Sequence, residues 1–128
     1  MAKFLTQEWL DLQTELAQSF PEKQGATARM QSVVTGAPGG DVSYYTVIAD
    51  GKILENKIGT DEEPDFTMTQ AYDDAVRVLK GELDANAAFM QGRVKVTGNM
   101  GKLMSLMPLT QSPEYKAIQA DVASKTEF

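Results

Sequence analysis

The stretch GELDANAAFMQGRVKVTGNMGKLMSLMPL, Gly81 to Leu109, decides the fold. It reads as a short helix, a half-buried strand and a second helix, punctuated by glycines. Asp84 is a good N-cap, because its carboxylate can accept from the free amides of the turn Ala85-Asn86-Ala87. Gly92 suits the left-handed residue that stops a helix. From Arg93 to Thr97 the pattern alternates, with Val94 and Val96 on one face and Arg93, Lys95 and Thr97 on the other. That two-residue period is a strand. Asn99 then caps a helix in which Met100, Leu103, Met104 and Met107 recur as one apolar stripe, closed by Pro108. Such a stripe requires an apolar partner.

Upstream, Thr6 can cap a first helix, with Leu5 and Leu10 placed for a hydrophobic staple and Trp9, Leu12, Leu16 and Phe20 as its stripe before Pro21 ends it. Its polar face carries Glu8, Asp11 and Glu15 and no base, so it reads as a helix packed on its own sheet rather than on a membrane. Arg29 to Thr35 alternates as a strand, and Gly36 to Asp41 is a loop of turn formers. Asp50-Gly51 joins Ser43–Ala49 to Lys52–Ile58 as a type I′ hairpin. With Ala49 opposite Lys52, the expected core pairs are Val47 with Leu54 and Tyr45 with Asn56. Gly59 to Pro64 reads as a solvated acidic loop; its acids lack the spacing of an EF-hand. Phe66 to Thr69 is a fourth strand, with Thr69 as cap of a helix marked by Tyr72, Ala75, Val76 and Leu79. Ser112-Pro113 opens a terminal helix with Tyr115, Ile118 and Val122 inward. The sum is an α+β fold: one mainly antiparallel sheet covered on one side by helices.

Composition bounds the function. A chain of 128 residues with 42% hydrophobic and 23% charged residues is one globular domain, residues 1–128, large enough for a core and a modest cavity. The net charge of −6 argues against nucleic acid and against simple electrostatic docking to anionic membranes. Without cysteine or histidine, thiolate catalysis and every Ser-His, Cys-His and His-metal arrangement are excluded. No apolar run approaches the roughly 20 residues of a membrane span. Met1 to Leu10 lacks the apolar core of a signal peptide, and the ending Lys125-Thr126-Glu127-Phe128 is no peroxisomal tripeptide, so a cytoplasmic protein with no stable membrane insertion is expected.

Phosphate cradles are absent, since Val96 stands where a P-loop before Gly101-Lys102 needs glycine and Leu103 replaces its hydroxyl residue. Tyr45 or Tyr72 beside an aspartate could serve an isomerase acting on a hydrophobic substrate. Tyr72 and Asp73, adjacent on a helix, diverge by about 100° and build no such pair. A ligand-free dimerisation or interaction module is the third reading. Met68, Met90, Met100, Met104 and Met107 fall in or near one region; on composition alone they are core filler, although methionine is also over-used where one surface must accept several apolar shapes.

Lys80 to Gly101, KGELDANAAFMQGRVKVTGNMG, resembles the signature of the sterol carrier protein 2 domain family of non-specific lipid carriers. Lys80-Gly81, Leu83-Asp84, Ala88-Phe89, Gly92-Arg93-Val94-Lys95-Val96 and Gly98-Asn99-Met100-Gly101 follow its order and spacing. The resemblance implies a curved five-stranded sheet with helices enclosing an apolar tunnel for a fatty acid, fatty acyl-CoA or sterol. It implies a lining of Phe66, Met68, Phe89, Met90, Val94, Val96, Met100, Leu103, Met104 and Met107, the last four on a helix able to move as a lid. It requires no reaction, cofactor or metal, and it admits lipid-metabolising enzymes as partners of a monomer or homodimer.

Overall fold

The computed structural model describes residues 2–19, 22 and 24–128, and of these every side chain but those of Ala85, Asn86 and Thr110. In chain order the elements are β1 (Ala2–Lys3), α1 (Gln7–Ala17), β2 (Ala28–Thr35), β3 (Val42–Ala49), β4 (Lys52–Ile58) and β5 (Phe66–Ala71). There follow α2 (Tyr72–Leu79), α3 (Ala85–Met90), β6 (Val94–Gly98), α4 (Met100–Thr110), α5 (Pro113–Ser124) and β7 (Thr126–Glu127). The helix starts obey the chemistry of their first residues. Thr6, Asp84, Asn99 and Ser112 each accept the backbone N–H three residues on, from Trp9, Ala87, Lys102 and Tyr115. Leu5 and Leu10, the expected staple, lie in one buried cluster. The expected end of the first helix, Phe20 and Pro21, lies outside the described residues.

Five strands form one sheet in the order β4-β3-β2-β5-β6, antiparallel throughout except where β2 meets β5. That parallel pair joins strands separated by a hairpin and an acidic loop, so the loop must carry the chain back across the sheet. Thr60, Glu62 and Glu63 of this loop are exposed as expected, but Asp61 is not. Asp61 is 9% exposed and grips Arg29 through two contacts, Nε to Oδ2 at 2.9 Å and Nη2 to Oδ1 at 3.1 Å. Beside it the buried amide of Gln31 donates to the carbonyls of Tyr44 (3.0 Å) and Gly59 (3.1 Å), while its oxygen accepts from the Asp61 N–H at 2.7 Å. An extended loop with unpaired backbone groups would cost more than this clamp, which satisfies them one by one.

Three local expectations are corrected. The Asp50-Gly51 turn has positive φ at both residues, as type I′ requires, and Ala49 faces Lys52, but a bulge after Ile48 and Ile53 shifts the register by one residue. The partners become Val47 with Glu55, Thr46 with Asn56 and Tyr45 with Lys57. Leu54 is thereby turned out, 63% exposed, and Thr46, Ile48 and Asn56 take the buried face instead of Val47 and Tyr45. Thr69 caps no helix: it pairs with Val33 and Lys95 inside β5, and the following helix starts after Ala71 without a side-chain cap. Pro108 does not close α4, which continues to Thr110, because a missing amide near a helix end forfeits one bond only. β1 and β7 were not anticipated; they pair in parallel, with the Ala2 N–H donating to the Lys125 carbonyl and the Phe4 N–H to that of Glu127, both at 2.9 Å.

Gly98 fixes the exit from β6. Its φ is +113°, and a Cβ there would lie 2.7 Å from the Asp65 carbonyl oxygen and 2.8 Å from the Phe66 Cα, both backbone atoms. Gly98→Ala should therefore lower stability by about 2–4 kcal/mol, whereas Gly36→Ala, at positive φ but in open space, should cost about 1 kcal/mol. Urea unfolding of the two variants measures the difference. The Arg29 guanidinium, and then the Glu63 N–H, hold the Asp61 carboxyl below its ordinary range. The stabilisation this brings is complete above the unfolded aspartate pKa of about 3.9 and is lost as pH falls through the lower folded value. Asp61→Asn should accordingly melt below wild type at pH 6, and the gap should shrink below about pH 3 in thermal melts followed by circular dichroism.

Candidate functional site

Strand alternation gives the sheet one covered and one open face. Arg29, Lys57 and Lys95 occupy positions of the open face, while the covered face takes Ala28, Met30, Ser32 and Val34 from β2 and Tyr44, Thr46 and Ile48 from β3, with Phe66 and Met68 from β5. Two apolar clusters lie at opposite ends of this face. At one end Val34 packs with Trp9, Leu10, Leu79 and Val122, contributed by α1, α2 and α5. At the other, Ala28, Ile48 and Phe66 pack with Leu106 and Leu109, with Met30, Ile53, Met68, Val96, Leu103 and Tyr115 around them. This second cluster is the layer between the sheet and α4.

A neutral polar band separates the two. Ser32 and Tyr44 are cross-strand partners, as are Thr46 and Asn56. The Thr46 hydroxyl donates to Asn56 Oδ1 at 2.9 Å, and Asn56 Nδ2 donates to the Leu10 carbonyl and to Gln13 Oε1, both at 3.2 Å. Burial pushes the Tyr44 phenol up, offset in part by its hydrogen bond with Ser32. Burial, then the proximity of Tyr44, pushes the Tyr115 phenol up to about 12. Both phenols therefore stay protonated near neutral pH and act as hydrogen-bonding groups, not bases. Trp9 Nε1, a donor, and Gln70 Oε1, an acceptor, are buried without a hydrogen-bond partner among the described residues. The arrangement can hold apolar matter at the α4 end and neutral polar groups at its middle; among the described residues it offers no cation to a buried carboxylate.

The ten residues named from the resemblance divide into two sets. Phe66 and Val94 are buried, and Met68, Val96, Leu103 and Met107 are half-buried. Phe66, Met68, Val96 and Leu103 share the α4-side cluster. Phe89, Met90, Met100 and Met104 are 40%, 83%, 42% and 64% exposed. For Met100 and Met104 the helix phase accounts for the exposure, since α4 packs inward through Leu103, Leu106 and Leu109; Phe89 and Met90 lie on α3. Ala26, Ala28, Met30, Ile48, Ile53, Leu106, Leu109 and Tyr115 complete the cluster and were not named from the sequence as site residues. Leu106 and Leu109 were detectable, since both continue the three-residue spacing from Leu103. Two surface hollows of about 430 Å³ each lie elsewhere. One, bordered by Arg29, Tyr45, Glu55 and Asp61, is on the open face, and the other, bordered by Glu8, Asp11, Glu15 and Lys125, is beside α1. The charged rim of the first is unsuited to an acyl chain or sterol. Among the described residues no helix is long and apolar enough to cross a membrane, and no group of acidic residues is placed to hold a metal ion.

Known proteins share this architecture. A conserved hypothetical protein of Thermus thermophilus, described as possibly a sterol carrier protein, superposes with a TM-score of 0.73 at 20% identity, covering 96% of this chain and 92% of that one. The palmitated sterol carrier protein 2-like 2 of Aedes aegypti gives a TM-score of 0.63 at 16% identity, over 80% of this chain and 89% of that one. In sequence, human sterol carrier protein 2 is 36% identical over 83 residues, which are 62% of this chain and 15% of that protein. The chain thus spans under a fifth of the length of the curated relatives it matches. The SCP-2 sterol transfer family profile matches residues 13–111, and with this fold the chain belongs to that family.

Proposed function

We propose that the protein binds and carries a hydrophobic lipid, without chemical conversion, in the layer between α4 and the covered face of the sheet, as a cytoplasmic carrier. The observation that carries this reading is α4 itself. Six large apolar residues, Met100, Leu103, Met104, Leu106, Met107 and Leu109, are spread around one helix of eleven residues with only Lys102, Ser105 and Thr110 polar among them, yet it packs on the sheet with only part of its girth. An ordinary core helix keeps a polar outer face. A roof of flexible methionines and leucines can instead rise and repack around an inserted chain. The family match and the palmitated relative support a lipid as the occupant.

The interior chemistry narrows the ligand. A chain of sixteen carbons gains roughly 12 kcal/mol gross on leaving water at about 0.8 kcal/mol per methylene, and the ordering of ligand and α4 removes a large share of that. Shape and length therefore set selectivity. With no cation on the covered face among the described residues, the carboxylate of a fatty acid or the coenzyme A of an acyl thioester would stay at the surface, while a sterol hydroxyl could enter the band around Tyr44 and Ser32.

Organic extraction of the purified protein with mass spectrometry, together with displacement of a fluorescent fatty acid by a sterol and by palmitate, tests the reading. Competitive displacement at a stoichiometry of about one, weakened at least ten-fold by Leu103→Lys in a variant that keeps its circular dichroism, is the expected outcome. A folded variant with undiminished affinity, or no displaceable probe at all, overturns it.

A further inference from the structure

We infer that the covered face of the sheet carries a polar subsite, Gln70 with Trp9, which receives the uncharged hydroxyl end of the ligand and sets a preference for hydroxyl-ended lipids over ionised fatty acids. The subsite rests on the carrier reading proposed above and specifies the end group that the apolar layer leaves open. Other polar groups of this face already answer one another. Tyr44 bonds with Ser32, and Thr46 and Asn56 are engaged with each other and with α1. Gln70 Oε1, an acceptor, and Trp9 Nε1, a donor, are the exceptions: both are buried, and neither has a hydrogen-bond partner among the described residues. Polar atoms are seldom buried unpaired, because each forfeits the bonds it makes with water. A donor and an acceptor left unmet beside an apolar layer are complementary to a group that both accepts and donates.

The fold brings the two residues to one row of the sheet. Phe66, Met68 and Gln70 alternate onto the covered face of β5, so Gln70 lies about 7 Å beyond Met68 along the strand, at the inner end of the ligand layer. Its cross-strand partner is the fully buried Val34. Trp9, 3% exposed, packs in the same cluster as Val34, with its ring edge-on to that of Tyr44 at 6.0 Å between centroids. A ligand lying along the strands from the Ala28 row to the Val34 row would extend roughly 20 Å, with its apolar body over Met30 and Phe66 and its end at Gln70. A hydroxyl can give its proton to Gln70 Oε1 and accept from Trp9 Nε1 through the same oxygen. A carboxylate only accepts. It would set negative charge against Gln70 Oε1 and lose its water with no cation on the covered face among the described residues. Turning the Gln70 amide would offer Nε2 instead, but would still bring no charge to balance an ionised end.

Displacement of a fluorescent fatty acid from the full chain by hexadecanol, cholesterol and palmitate tests the subsite, read beside the emission of Trp9, the only tryptophan. Gln70→Leu should lower the affinity for hexadecanol relative to that for palmitate by about ten-fold compared with wild type. Gln70→Met takes its place if the leucine variant loses its circular dichroism. Hexadecanol should move the Trp9 emission to longer wavelength as the indole N–H gains an acceptor. The ligand-free variant should melt no lower than wild type, because it loses an unmet acceptor and no bond. The same dependence on Gln70 for cholesterol assigns the hydroxyl to a sterol, and dependence for hexadecanol alone assigns it to a straight-chain alcohol; either result supports the subsite. An unchanged ratio in a folded variant, no shift of Trp9 emission on hexadecanol binding, or a marked drop in melting temperature overturns it and leaves the carrier reading standing. A protein from which no lipid displaces the probe overturns both.

Discussion

The parallel pairing of β2 with β5 is the constraint on which the rest of the molecule depends. It seats two central strands side by side although a hairpin and an acidic loop separate them in sequence, and it forces that loop back over the open face of the sheet. Gln31 and the Arg29–Asp61 pair hold the return path, satisfying backbone groups that would otherwise be stranded. With β5 fixed beside β2, β6 becomes the sheet's edge, and Gly98 brings the chain against the Asp65 carbonyl so closely that α4 must start over Phe66. The roof of the proposed ligand layer is thus positioned by a polar clamp on the opposite side of the sheet.

Charge is distributed to match. The open face takes Arg29, Lys57 and Lys95, and the covered face, among the described residues, takes neutral groups only, graded from the apolar α4 end to the Ser32, Tyr44, Thr46 and Asn56 band. A buried phenol in such a place resists ionisation, and nothing described nearby would stabilise a buried carboxylate. The interior is therefore suited to an uncharged occupant, and any ionised head group belongs at its mouth.

Much of this was legible in the sequence, and the exceptions have physical reasons. Caps at Thr6, Asp84, Asn99 and Ser112 depend on local hydrogen bonds, so local sequence suffices to find them. The bulge near Leu54 was not legible because inserting one residue leaves the alternation on either side intact while reversing which face it serves. Thr69 looked like a cap but is held in the ladder by neighbours on both sides, a tertiary effect. Asp61 reads as a solvated acid until the fold brings Arg29 to it. Of the residues proposed for the site, Phe66, Met68, Val96 and Leu103 lie in one cluster, but the rotation of α4 was hidden. A helix with large apolar residues spread around it carries no clear phase, and only the packing of Leu106 and Leu109 settles it.

The short pairing of β1 with β7 sets how the domain answers to force. The strands run parallel, so a pull on the two chain ends drives them past one another in opposite directions along their length. The bonds from Ala2 to Lys125 and from Phe4 to Glu127 then carry the load together, in shear, instead of opening one at a time like a zipper. Beneath them, Phe4 is wedged against Trp9, Tyr72 and Phe128, ring upon ring. The two ends of the chain act as a mechanical latch, one that yields only when this aromatic plug is drawn from the core.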